Sequence, residues 1–305
     1  MLAGALHRPR QPSADGVDFA RHRDRRHVVA RLRQRRRLAP RPGCGVVNLM
    51  RCDRHRVEPA SADDVELARE DSNPDGGARS LHGREHAPGV GGGVAGKAVA
   101  RNEEYDPGSD RWRERAPLPQ PRDHLGVAAL NGKIYTFGGF TSSVHQGAGD
   151  VVFEYDPASD HWRTLASMKA PRAAVGVAVL AGKIHVIGGR LSGPVDRTGQ
   201  HDVYDPATNS WTSAAPLPTP RSGVAAAFYK GMILVLGGEL PPNHTFPENE
   251  GYDAASDRWV ALAPMPAGRH GFGGAVIGSN AYFVGGSLTP GGGGITDQLI
   301  MFNLP

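Results

Sequence analysis

The chain has 305 residues, is 39% apolar and 7% aromatic, and carries a formal net charge of +4 with only two cysteines. Both cysteines, Cys44 and Cys52, fall in the first hundred residues, so a disulfide framework is excluded for the remainder, and with His55 they form an incomplete set of metal ligands. No apolar run reaches 18 residues and residues 1–30 lack an apolar core, so neither a membrane helix nor a secretory signal is expected; the default expectation is a cytoplasmic chain with no membrane partner.

Residues 1–100 are written in a different composition from the rest. They hold 19 basic against 12 acidic residues, almost all the basic ones arginine, with no Trp, no Tyr and a single Phe, Phe19; residues 101–305 hold 16 against 19. The basic balance therefore belongs to the N-terminal part. Three readings stand for residues 1–95: an Arg-rich arm that contacts phosphates, a solvated tail, or an out-of-frame or misassigned start in a GC-rich gene. In each, the segment is expected to be disordered or irregular. The repeats themselves are not expected to bind nucleic acid.

From residue 96 onward four landmarks recur in step. Glycine pairs stand at Gly138-Gly139, Gly188-Gly189, Gly237-Gly238 and Gly285-Gly286. Tyr-Asp pairs begin at Tyr105, Tyr155, Tyr204 and Tyr252. The four tryptophans are Trp112, Trp162, Trp211 and Trp259, and a matching set of arginines is Arg122, Arg172, Arg221 and Arg269. Each set advances by 50, 49 and 48 residues, which marks a structural repeat rather than a chance motif.

Each repeat reads as four antiparallel strands. Leu125–Leu130 ends at Asn131-Gly132, a two-residue hairpin signal, and Ile134–Phe137 returns. Gly138-Gly139 ends that strand where the backbone turns without a side chain. A variable loop follows, then Val151–Tyr155, an Asp-Pro turn at Asp156-Pro157, and a last strand around Trp162. Small residues alternate in the first strand (Gly126, Gly176, Ala225 and Gly273, then Ala128, Ala178, Ala227 and Ala275), as converging strands at a propeller axis require. The tryptophans are expected in the wider outer gap between blades. Burial of each contributes up to roughly 4–6 kcal/mol.

The Gly-Gly pairs, Tyr-Asp-Pro turns and following Trp resemble the kelch family, within the wider superfamily of galactose-oxidase-like propellers. The resemblance covers about residues 101–305 and implies an all-β propeller of four-stranded blades. Complete blades are expected at 122–165, 172–214 and 221–262, a three-stranded blade at 269–303 and a half blade at 101–115. A lone Gly91-Gly92-Gly93 run reads as a possible remnant of one further glycine pair. The last repeat stops at its third strand, near Asn303, so a closing Trp strand is expected from elsewhere; an intact relative would most simply have six blades.

Function in a repeat fold usually resides in variable loops over a rigid scaffold. Strand direction places the loops Phe140–Gly149, Arg190–His201, Glu239–Asn249 and Ser287–Asp297 on one face, together with the four periodic arginines. Arg122, Arg172, Arg221 and Arg269 are candidate ligands for a carboxylate, resembling kelch domains that hold acidic peptides; their strict period equally fits a scaffold role. Residues that break the period are sharper candidates. His124 stands where Ala174, Gly223 and Gly271 stand, Arg190, Glu239 and Ser287 each follow a glycine pair, and His270 adjoins Arg269. His185 is expected to be a satisfied histidine at an interface.

No nucleophile elbow is present, and the repeats lack the cysteine that copper-radical kelch oxidases need. Gly291–Gly294 is a loop tip without a following Lys-Ser/Thr. No cofactor or metal is expected. The expected function is non-catalytic binding of a protein or peptide ligand, acidic ones included. The alternative is binding or modification of carbohydrate, as in the sialic-acid mutarotase type, with Glu239 and Arg221 or Arg269 as acid–base and anchor.

Overall fold

The computed structural model describes residues 87–94, 97–143, 146–191 and 196–304. Among these, the strands form five main antiparallel sheets, each one blade. Blades two, three and four have four strands each, ordered from the inside outward as they occur in the chain. Blade two comprises Gly126–Leu130, Lys133–Phe137, Val152–Asp156 and His161–Thr164. Blade three comprises Gly176–Leu180, Lys183–Ile187, His201–Asp205 and Ser210–Ser213. Blade four comprises Ala225–Tyr229, Met232–Leu236, Asn249–Asp253 and Arg258–Ala261. Blade five has three strands, Gly273–Ile277, Asn280–Val284 and Leu299–Phe302. The fold is thus an all-β propeller of the kind the repeat implies.

Blade one differs from the half blade read in the sequence. Asn102–Asp106 and Arg111–Glu114 gain a third strand, Ala87–Val90, paired Ala87 to Tyr105 and Val90 to Asn102. Gly91 and Gly92 then fill the glycine-pair positions of this blade. Their φ angles of 71° and 116° match those of Gly138 and Gly139, 59° and 92°. Their amides bond the Arg101 and Arg122 carbonyls as those of Gly138 and Gly139 bond Val151 and Arg172. The pair is therefore a true repeat landmark, and the ordered sheet starts at Ala87, ahead of the expected boundary at residue 95. Of the segment 1–95 expected to be disordered, irregular or out of frame, residues 1–86 lie outside the described residues.

Tight packing explains the small residues at the centre. The inner strands of blades two to five are successive neighbours. A Cβ added to Gly126 would lie 2.4 Å from Val177 Cγ2, and one on Gly176 would lie 2.9 Å from Val224 Cγ2. Larger residues pack farther out, where neighbouring blades diverge. Phe137, Tyr135, Val152, Val175, Val177 and Tyr204 join blades two and three, with Trp211 against them. Val224, Ala226 and Tyr252 do the same between blades three and four. On blade five the corresponding outer face is exposed: Val284, Leu299 and Met301 are in solvent, whereas Leu234 and Leu236 of blade four are buried.

Candidate functional site on the loop face

Positions just before the inner strands adopt one shared conformation. His124, Ala174, Gly223 and Gly271 all have positive φ, between 52° and 69°. Their backbones form a circumferential chain of hydrogen bonds: Ala174 N donates to His124 O (2.8 Å), Gly223 N to Ala174 O (2.9 Å) and Gly271 N to Gly223 O (2.9 Å). One residue earlier, antiparallel bridges join Asp123 to Phe140, Ala173 to Arg190, Ser222 to Glu239 and His270 to Ser287. The backbone is periodic here, while the side chains differ from blade to blade: Asp123, Ala173, Ser222 and His270 on one side of the bridges, Phe140, Arg190, Glu239 and Ser287 on the other.

Those side chains connect into one arc across blades two to five. His124 Nδ1 is 3.0 Å from Asp123 Oδ1, and its ring meets Phe140 edge-on at 5.5 Å. The Arg190 guanidinium lies over the Phe140 ring, 5.5 Å from its centroid. A backbone β-bridge joins Arg190 to Arg197 in the same loop. Arg197 reaches Glu239 Oε1 at 3.5 Å, and His270 Nε2 lies 3.4 Å from Glu239 Oε2. The Gly291 amide donates to Glu239 Oε2 at 2.9 Å, so the glycine-rich loop tip caps this carboxylate. Burial pulls the Arg190 and Arg197 guanidinium groups below the usual arginine range, with Glu239 pulling the other way.

The four periodic arginines are placed differently from the sequence reading. Arg122, Arg172, Arg221 and Arg269 are 0–2% exposed, in the blades rather than around an open channel mouth. Arg172 Nη1 donates to the carbonyls of Gly188 (3.1 Å) and Gln200 (2.9 Å), and its Nη2 pairs with Asp202 at 2.7 Å. Arg221 holds Gly237 O and Glu250, and Arg269 holds Gly285 O and Gln298 Oε1. The guanidiniums of Arg172, Arg221 and Arg269 thus satisfy the carbonyl at the first glycine of their own blades, where the tight turn leaves an acceptor inside. Burial lowers the pKa of all four. Of the two readings of the periodic arginines, burial and these bonds favour scaffold over ligand contact. Arg122 is the variant case. Phe153 stands where Asp202 stands in blade three, and Arg122 Nε and Nη1 are without a hydrogen bond.

The structure brings His124, Arg190, Glu239 and His270 together and adds residues that sequence reasoning did not single out. Arg197, Phe140 and Asp123 complete the arc. Asp123 and Phe140 were legible as the neighbours of His124 and of a glycine pair; Arg197 was not, because its loop has no repeat partner. Among the described residues no cluster of His, Cys, Asp and Glu is arranged to hold a metal ion, and no helix is long and apolar enough to cross a membrane.

The comparisons with known proteins agree with this architecture. The family model described as Kelch motif matches residues 121–169 and 171–218. Kelch-like protein 35 of Mus musculus is 46% identical over 46 residues, covering 15% of this chain and 8% of that protein. Kelch-like protein 3 of Danio rerio is 46% identical over 52 residues, covering 17% and 9%. The chain thus spans less than a tenth of the length of these curated relatives. The solved structure titled "Structure of YjhT" superposes with a TM-score of 0.62 at 16% identity, over 72% of this chain and 81% of that one, a likeness of fold. Repeat landmarks, blade topology and these matches together identify the chain as a kelch-repeat β-propeller protein.

Proposed function

We propose that the chain is a binding module that takes a protein or peptide segment across its loop face. The carrying observation is the arc Asp123–His124–Phe140–Arg190–Arg197–Glu239–His270, a non-repeating set of side chains on a repeating backbone. Two guanidiniums and two imidazoles against two carboxylates favour an acidic segment, held by charge-assisted hydrogen bonds. Arg190 and the two histidines are the contacts in this reading, while Arg197 and Glu239 hold the loops in register. Glu239 is committed to Arg197, His270 and the Gly291 amide. That commitment supports binding over an acid–base role in carbohydrate chemistry.

The test is an array of immobilised acidic peptides beside basic peptides of matched length. Selective retention on the acidic set, weakened by Arg190→Ser, is the expected result. Ser is the residue that blade five carries at the equivalent position, Ser287. Equal retention on both sets would overturn the acidic preference, and retention of neither would overturn peptide binding.

A further inference from the structure

Blade three contains a buried titratable pair that its neighbours lack. His185 and His201 are 5% and 1% exposed, and His185 Nδ1 is 2.8 Å from His201 Nε2. His201 Nδ1 is 3.1 Å from the Ala215 carbonyl oxygen. A carbonyl only accepts, so His201 carries its proton on Nδ1; its Nε2 then accepts, and His185 donates from Nδ1. Both rings are neutral in this arrangement, and one proton is shared between them.

The pair lies in the seam between blades three and four. The His201 ring meets Tyr252 edge-on at 4.5 Å and Trp259 at 5.8 Å, and His185 is 5.8 Å from Tyr252. Trp259 Nε1 donates to the same Ala215 carbonyl, at 2.8 Å. That one acceptor therefore joins the imidazole to the tryptophan of the next blade. Blades one and four fill the position of His201 with asparagine, Asn102 Nδ2 donating to Ala116 O at 3.0 Å and Asn249 Nδ2 to Ala263 O at 3.2 Å, while blade two has Val152 there. The position of His185 is Tyr135 in blade two and Leu234 in blade four. Of the equivalent residues Asn102, Val152, His201 and Asn249, only His201 carries a side chain that titrates.

We propose that the His185–His201 pair makes the seam between blades three and four acid-labile, closed at neutral pH and opening in mild acid, because a proton added to His201 Nε2 sets its N–H against that of His185 Nδ1, and a proton on either ring places a charge in the buried seam. The charged groups facing the pair are Lys183 and Arg172, which oppose a charge, and Asp202 and Asp257, which favour one on His201; Tyr252 faces both rings. Burial outweighs them. It holds His185 down to about 3 and His201 down to about 4, against 6.5 for an ordinary imidazole. Below that ordinary value the unfolded chain binds more protons than the folded one. Stability is fully present above about pH 6.5 and falls as pH drops, by about tenfold in the folding equilibrium per pH unit for each ring, until the folded values are reached.

The experiment is urea unfolding of the full chain at pH 7.5 and pH 5.0, followed by tryptophan fluorescence, beside the double variant H185L/H201N. That variant installs the Leu234 and Asn249 pair of blade four and keeps the donor to Ala215. The wild-type folding equilibrium is expected to fall at least about 30-fold between the two pH values, and that of the variant by only a few-fold. Asp156, at about 2, and the other turn aspartates with lowered pKa stay ionised across this window and do not add to the difference. Hydrogen exchange, corrected for the intrinsic pH effect, is expected to rise first in residues 201–213 and 249–261. An equal pH dependence in variant and wild type, or opening that begins at another seam, would overturn the proposal. Should the double variant not fold, H201N alone keeps the donor, and an unflattened profile in that variant overturns it equally.

Discussion

The indole Nε1 of Trp211 donates to the carbonyl oxygen of Ala166 across a blade boundary, at 3.0 Å, while the Ala166 amide donates back to Asn209 Oδ1 at 2.9 Å. The same reciprocal staple joins Trp162 and Asp160 to Ala116, and Trp259 and Asp257 to Ala215. The repeat spacing of Trp therefore reflects a joint between blades as well as burial. Trp211→Phe keeps most of the apolar contact and removes one hydrogen bond, so a loss of about 1–2 kcal/mol is expected; Trp211→Ala is expected to cost about 3–5 kcal/mol. Urea denaturation midpoints at pH 7.5 measure both.

Two glycines with similar φ separate backbone freedom from close approach. Gly132 has φ 73° and nothing within 4 Å of an added Cβ; Gly138 has φ 59°, but its Cβ would lie 2.1 Å from the Arg172 carbonyl oxygen and 3.0 Å from that of Gly149. Gly132→Ala is expected to cost about 1 kcal/mol, the left-handed penalty alone. Gly138→Ala must displace the backbone of the next blade and is expected to cost more than about 3 kcal/mol. Equal costs in thermal unfolding would contradict the close approach.

Arg172 and Asp202 form a fully buried pair, each side chain 0% exposed. Removing one partner strands a charge in the core, so Arg172→Ala is expected to destabilise by about 3–5 kcal/mol. Arg190→Ser removes a buried guanidinium held over Phe140 and is expected to cost less than loss of the fully buried pair, about 1–2 kcal/mol. Comparing the two midpoints tests whether the periodic arginine is scaffold and the non-periodic one is not.

Glu239 ties together loops of three blades through Arg197, His270 and the Gly291 amide. Glu239→Ala leaves buried donors unpaired and is expected to cost about 1–3 kcal/mol. It should also raise hydrogen exchange across residues 287–295 while leaving blade two unchanged. Uniform loosening of all blades would contradict this local role.

The blade architecture was legible because every blade must solve the same packing problem with the same residues. Gly126 and Gly176 fill one steric need, and Trp162, Trp211 and Trp259 make one repeated joint. Even the isolated Gly91-Gly92 proved to be a landmark, shortened by its own loop. The same logic left two readings of the arginines open. Periodicity showed that Arg172 and Arg221 matter in every blade, but sequence does not reveal that their charge is turned inward onto Gly188 O and Gly237 O. His124, Arg190, Glu239 and His270 were legible as departures from the repeat. Arg197 was hidden because loop residues without a counterpart have no ruler to be read against. The pairing of His185 with His201, 16 residues apart, required the register of two adjacent strands.

The central claim is that the non-repeating residues of the loop face bind a ligand while the periodic arginines support the fold. It is tested most directly by titrating a fluorescent acidic peptide, selected from the array, into wild type, Arg190→Ser and His124→Ala. Ala174 shows that alanine is accepted in the conformation of His124, φ 54° against 52°. Each variant is expected to weaken binding by about tenfold or more while remaining folded. Undiminished affinity in both, with both variants folded, would contradict the account.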